Sequence, residues 1–189
     1  MNQESRLWLV RHAPVDGPVG VIHAPDAPAD LGNTSRLQAL RAQLPAACAA
    51  YSSPARRTVE TAAALHLDPI TEPSFREQGF GAWTGRRHGE IEAELGRHAY
   101  EEFWRSPATN RPPQGESFND QIARVGQGLA GLPAGDVALI VHSGTIRAVL
   151  AIALEISAES ALRFVIDPLS LTRVDRLDRG WRVCSVNRS

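Results

Sequence analysis

The chain has 189 residues, of which 43% are apolar and 22% charged, and its formal net charge is −1. Such a length and composition describe one globular domain that can bury a core without disulfides or metal staples. The near-zero charge excludes a global field drawing the chain to nucleic acid or an anionic membrane, so any anion binding must come from a local cluster. The longest apolar stretch, Ile146 to Leu154, is interrupted by Arg147 and is too short to span a bilayer. Met1 to Val10 carries no signal-peptide pattern, and Cys48 and Cys184 form no C-x-x-C pair. The expectation is a cytoplasmic protein with two structural free thiols.

In chain order, Leu7-Trp8-Leu9-Val10 reads as a buried strand. Leu37, Leu40 and Leu44 recur at helical spacing after Asn33 and Thr34, which can cap that helix. Ala46 to Tyr51 is a second strand. Ser53-Pro54 reads as N-cap and N1 of a helix running to about His66. Ile91 to Trp104 is helical with a break at Gly96, and the proline-rich stretch Ser106 to Gly115 is a loop. Ser117 to Leu132 is a helix and Val137 to Val141 a buried strand. The apolar face of Ile146, Val149, Leu150, Ala153 and Leu154 marks another helix. Leu169 to Leu177 and Trp181 to Val186 flank Asp178-Arg179-Gly180 as an antiparallel hairpin. Strands alternating with helices predict an α/β fold, a three-layer α/β/α sandwich, and the terminal hairpin makes its mostly parallel sheet mixed.

Three polar clusters follow three of these strands: Arg11-His12, Ser52 to Arg57, and His142-Ser143-Gly144. In open α/β sheets the carboxyl ends of strands form the ligand crevice, so the three segments should converge. Two imidazoles and a guanidinium in one pocket repel one another and invite an anion. The planar fork of arginine matches phosphate oxygens, and helix N-termini after Ser53 and His142 add N–H donors. No Walker-type glycine loop is present. Each piece alone has a plainer explanation: Arg11-His12 as surface decoration, His142 as a helix cap, Ser53-Pro54 as a helix start, Glu77 as a solvated charge. The joint arrangement is what points to phosphate.

The motifs resemble those of the histidine phosphatase, phosphoglycerate-mutase-like superfamily. Leu9-Val10-Arg11-His12-Ala13 is similar to its Arg-His-Gly signature, and Tyr51 to Ala62 to its Ser-Ser-Pro-Leu-x-Arg-Ala-x-x-Thr-Ala segment. In that register Arg57, not Arg56, matches the phosphate-binding arginine. Phe75 to Gly85 resembles the segment bearing the acid, Gly115-Glu116-Ser117 its Gly-Glu-Ser loop, and Val141 to Arg147 its second-histidine motif. Asn187 echoes a C-terminal pattern. The departures are Ala13 for Gly, Val15 where many members have Thr, Thr84 for an acidic residue and Ser143 for Gly, none of which removes a catalytic group.

The resemblance implies a single domain over residues 1–189 with a lid-like insertion at about residues 78–116. It implies a phosphoric monoester hydrolase in which His12 takes the phosphoryl group. Arg11, Arg57, His142 and Ser143 would bind phosphate, and Glu77 would protonate the leaving oxygen, with His12, Glu77 and His142 as the catalytic set. Neither metal nor organic cofactor is implied. The partner is a small phosphorylated metabolite, not nucleic acid or membrane, for a monomer or homodimer. The run Leu9 to Val15 and the short chain are most similar to the α-ribazole phosphatase-type branch, whose substrate would meet an apolar wall, with Val15, Phe80, Trp83 and Trp104 as candidates and His23 as a further pocket residue in a loop near the mouth. The region Ile22-His23-Ala24 departs from that branch. His66, His88 and His98 lack metal-ligand spacing and are expected on the surface. A cofactor-dependent phosphoglycerate mutase is the alternative enzyme, but its Glu-Arg-His-Tyr motif is absent from Glu77-Gln78-Gly79-Phe80. A non-catalytic phosphate-binding regulatory domain is the other alternative, opposed by intact His12, Arg57, Glu77 and His142.

Overall fold

A computed structural model describes residues 4–189. Among these, six strands form one sheet in the order β3-β2-β4-β1-β5-β6. The strands are β1 (Ser5–Arg11), β2 (Ala49–Ser52), β3 (Ile70–Thr71), β4 (Gly135–Val141), β5 (Leu171–Arg176) and β6 (Trp181–Arg188). The first four run parallel, while β5 is antiparallel to β1 and β6 to β5, so the sheet is mixed as expected.

The central strands are apolar on both faces because helices cover both, and period-2 alternation sorts their side chains. Leu7, Leu9, Val137, Leu139 and Val141 face one core, which they share with α5 (Phe118–Ala130) and α6 (Ser143–Leu154). Val10 and Ile140 face the other, shared with Leu37 and Leu40 of α1 (Thr34–Gln43) and Ala62 of α2 (Arg56–Ala64). Each fully buried Leu or Ile contributes about 1.5–3 kcal/mol. The result is the predicted three-layer sandwich.

Local details differ from the sequence expectation at a few places. Asn33 caps α1 by accepting from the backbone N–H of Arg36; Thr34 is already helical. Ser53 is not the cap of α2. Its N–H remains bonded to the Ile140 carbonyl in strand fashion, at 3.1 Å, and the helix starts at Arg56 after Ala55, with Pro54 outside it. The short edge strand β3 was not foreseen, because two exposed residues carry no periodic signal.

Between β3 and α5 the chain leaves the sheet through two 3-10 turns and two short helices, α3 (His88–Leu95) and α4 (Arg97–Arg105), broken at Gly96 with φ +79°. This segment has its own small core of Trp83 and Ile91 against Ile22, with Phe80, Tyr100 and Phe103 around it. Its two ends are locked together at Gly81. With φ +52°, a Cβ there would lie 2.1 Å from the Pro113 carbonyl, so only glycine fits. The helix α7 (Ala158–Ala161) lies between α6 and β5. No described helix is long and apolar enough to cross a membrane.

Candidate active site

The parallel register of β1 and β4 pairs Arg11 with Val141, and the His12 N–H donates to the Val141 carbonyl at 3.0 Å. Ser53 hangs from Ile140 on the other side of β4. The three clusters after β1, β2 and β4 therefore meet at the carboxyl edge of the sheet. A cavity of about 950 Å³ opens there, lined by Arg11, His12, Arg57, Glu77, His142 and Ser143, among others. A smaller groove of about 560 Å³ between α5, α6 and the β5–β6 hairpin contains none of these groups.

The two imidazoles lie 5.0 Å apart, edge to face, and both are buried, His12 at 6% exposure and His142 at 0%. Their partners decide their protonation. His12 Nδ1 is 2.5 Å from the Ala13 carbonyl, which can only accept, so Nδ1 carries the hydrogen. Arg57 Nε, which can only donate, lies 3.3 Å from His12 Nε2. The Nε2 lone pair of a neutral His12 is thus held beside a guanidinium. His142 is arranged the other way. Its Nδ1 faces Arg57 Nη2 at 3.4 Å, and its Nε2 lies 2.8 Å from Ser53 Oγ, a hydroxyl that can serve either tautomer. Burial drives the pKa of His12 well below 6.5, with His142, Arg57 and Arg11 adding repulsion and the Ala13 carbonyl opposing them. Burial, then Arg57, Arg11 and Arg124, does the same for His142.

Three guanidinium groups line the cavity that holds this pair. Arg57 is buried and its Nη1 donates to the Ala24 carbonyl at 3.0 Å, whereas its neighbour Arg56 turns outward to pair with Glu60 at 2.6 Å. Arg11 Nη1 donates to the Ile166 carbonyl, and its Nε is buried without a partner. Arg147, not among the site residues expected from sequence, also lines the cavity. It stands five residues after His142 on α6, and the Ile-Arg end of the second-histidine motif was the signal that could have found it. Burial lowers the pKa of all three arginines, most simply relieved by an anion.

Glu77 is half-buried opposite. Its Oε1 accepts from Gln121 Nε2 and from the Gln78 N–H, both at 3.1 Å, and its Oε2 from the Gly144 N–H at 3.3 Å. Its carbonyl and that of Arg76 are tied to Arg124, which forms a partly buried ion pair with Glu116. Glu116 also accepts from the Gly79 N–H at 2.8 Å, so the Gly-Glu-Ser loop braces the segment that carries Glu77.

Among the expected pocket residues, Val15, His23, Phe80 and Trp104 line the cavity. Burial, with Arg57, lowers the pKa of His23. Trp83 does not line it: at the end of a 3-10 turn it is 4% exposed and stacks edge to face on Phe103, because its large apolar ring fills the small core it shares with Ile22 and Ile91. His88, expected on the surface, lines the mouth with its Nδ1 2.8 Å from the Tyr100 hydroxyl. His66 and His98 are exposed. No cluster of three potential metal ligands occurs among the described residues.

The model of the histidine phosphatase superfamily (branch 1) matches residues 7–189. A bifunctional protein of Mycobacterium tuberculosis is 32% identical over 135 residues, covering 66% of this chain and 36% of that protein. The chain thus spans about a third of the length of the curated relatives it matches. The structure of a mycobacterial glucosyl-3-phosphoglycerate phosphatase superposes with a TM-score of 0.83 at 25% identity, over 98% of this chain and 100% of the other. An α-ribazole phosphatase from Shigella flexneri shares the fold, with a TM-score of 0.83 at 22% identity and 96% of each chain covered.

Proposed function

This chain belongs to the histidine phosphatase superfamily, and from that premise we propose that it hydrolyses a small phosphomonoester through a phosphohistidine on His12. The observation that carries the reading is the tautomer of His12. The Ala13 carbonyl takes the Nδ1 hydrogen, and Nε2 keeps its lone pair beside Arg57 in a cavity that Arg11 and Arg147 also line. A neutral, oriented imidazole in a cationic cavity is the state a nucleophile for phosphate needs.

In the first step Nε2 of His12 attacks phosphorus, and the bond from phosphorus to the ester oxygen breaks. Glu77 gives its proton to that oxygen. In the second, water attacks the phosphoryl group, Glu77 takes a proton from it, and inorganic phosphate leaves with His12 restored. Arg11, Arg57, His142 and Ser143 stabilise charge on the equatorial oxygens, the main contribution open to a protein in phosphoryl transfer. Arg147 adds to the same field. Residues 78–116 act as a lid that shields the reaction from water. None of these steps calls for a metal or cofactor.

For the substrate, the favoured candidate is α-ribazole-5′-phosphate, whose aromatic base would lie against Val15, Phe80 and Trp104. The test has two parts. Turnover of p-nitrophenyl phosphate with acid-labile, base-stable label on His12 supports the chemistry; no turnover, or label on another residue, defeats it. A kcat/KM for α-ribazole-5′-phosphate no better than for glycerol phosphate or glucosyl-3-phosphoglycerate removes the substrate assignment alone. Conversion of 3-phosphoglycerate in the presence of 2,3-bisphosphoglycerate would make the chain a mutase instead.

A further inference from the structure

Arg11 and Arg147 reach the cavity from different elements, yet both are anchored on one irregular segment between α7 and β5. Arg11 Nη1 donates to the Ile166 carbonyl at 2.5 Å, and Arg147 Nε to the Phe164 carbonyl at 2.9 Å. The same segment grips the backbone of Arg11. The Leu169 N–H donates to the Arg11 carbonyl at 3.0 Å, and the Arg11 N–H to the Ser170 carbonyl at 3.2 Å. A segment without regular hydrogen bonding has no ladder of its own to hold it in place.

Its conformation is also a costly one. Leu169 has φ +57°, the left-handed region that a branched side chain rarely adopts, and such a residue persists only where its surroundings over-determine it. Two side chains from elsewhere supply that restraint. Arg36 of α1 donates to the Leu169 carbonyl at 2.9 Å. Asn187, near the end of β6, closes a two-point clamp on Asp167. Its Oδ1 accepts from the Asp167 N–H at 2.6 Å, and its Nδ2 donates to Asp167 Oδ2 at 2.8 Å. Asn187 itself has φ +54°, which asparagine tolerates better than most residues, and its N–H is fixed on Thr172 Oγ1 at 3.1 Å.

We propose that Asn187 is a positioning residue for the phosphate cavity: by clamping Asp167 it fixes the segment at residues 164–170 and so the direction in which Arg11 and Arg147 present their N–H groups. The proposal rests on the phosphatase reading of the cavity. A guanidinium fork bonds phosphate well only when its plane is already set, and an arginine left loose must be ordered during binding, which weakens affinity. The clamp acts on ground-state and transition-state phosphate alike, so its loss should appear in binding more than in turnover.

The test measures inorganic phosphate by calorimetry alongside KM and kcat for p-nitrophenyl phosphate. Asn187→Gly keeps the left-handed backbone and removes only the clamp. It should weaken phosphate binding and raise KM by about five- to tenfold, the effect of one or two modest hydrogen bonds, with kcat and its pH profile little changed. Asn187→Asp sets a carboxylate against Asp167 and should weaken binding at least as much. Adding Asp167→Asn restores a donor and an acceptor across the clamp, and it should return phosphate affinity to within about twofold of the parent. That rescue keeps the question answerable even if Asn187→Gly fails to fold. Unchanged phosphate affinity in folded Asn187→Gly, or no rescue by the double exchange, overturns the positioning role and leaves the phosphatase reading intact. If the unsubstituted chain neither binds phosphate nor turns over p-nitrophenyl phosphate, the phosphatase reading falls, and this role falls with it.

Discussion

Gly144 and Glu77 touch: a Cβ on Gly144 would lie 2.2 Å from Glu77 Oε1, and the Gly144 N–H donates to Oε2 at 3.3 Å. The residue two places after the second histidine therefore shapes the seat of the proposed acid. Gly144→Ala should push the carboxylate out of that seat while the fold survives. Its rate on an alkyl phosphate should fall by about 10²–10⁴-fold, as for loss of a general acid. A crystal structure of the variant with Glu77 unmoved, together with normal turnover, would contradict this.

Glu77→Gln should show the same loss without disturbing Gly144, because glutamine preserves shape and removes the proton. The loss should shrink for p-nitrophenyl phosphate, whose leaving group needs little protonation. Measuring kcat on matched alkyl and aryl esters decides it: equal losses would make Glu77 a binding group.

Arg57→Ala and Arg56→Ala should differ sharply. Neighbours on a helix point about 100° apart, and only Arg57 turns into the cavity, while Arg56 forms an exposed pair with Glu60. The first should cost two orders of magnitude or more in kcat/KM, about 2.7 kcal/mol or above on the scale of lost oxyanion-type donors. The second should stay within about threefold, since exposed pairs contribute little. Similar kcat/KM values for the two variants would refute the register.

The two histidines make stability depend on pH in a definite direction. Both have pKa values well below the 6.5 of an unfolded chain, so below pH 6.5 the unfolded state binds more protons than the native one. Their contribution is complete above pH 6.5 and is lost as pH falls toward the native values. Each should therefore make stability fall as pH drops through that window. Urea unfolding of the parent and of His142→Ala between pH 5 and pH 7 checks it, at roughly these values of pH on the ordinary histidine scale. The variant should show the shallower dependence, and an equal slope would mean His142 is charged in the native protein.

Much of this site was legible in the sequence because its groups directly follow strands. Arg11-His12, Ser52-Ser53 and His142-Ser143 each sit where an apolar run ends, and a parallel sheet brings such ends together whatever the details of packing. The choice of Arg57 over Arg56 came from motif register, and the cavity contains that residue. Contacts across distant segments were not legible. The tautomer of His12 depends on where the Ala13 carbonyl points, and the brace of Glu116 and Arg124 on the Glu77 segment joins residues without any common spacing. Trp83 and His88 exchanged expected places for the same reason. Trp83, in a 3-10 turn, faces the small core with Ile22, and His88, at the start of α3, faces the cavity, according to how this segment folds back on Ile22. Periodicity along the chain sets which elements form and which end of each bears the chemistry, since those follow from local sterics and apolar alternation. The aim of each side chain was decided by tertiary structure, because a hydrogen bond is short and directional and its partner is fixed only when the layers close.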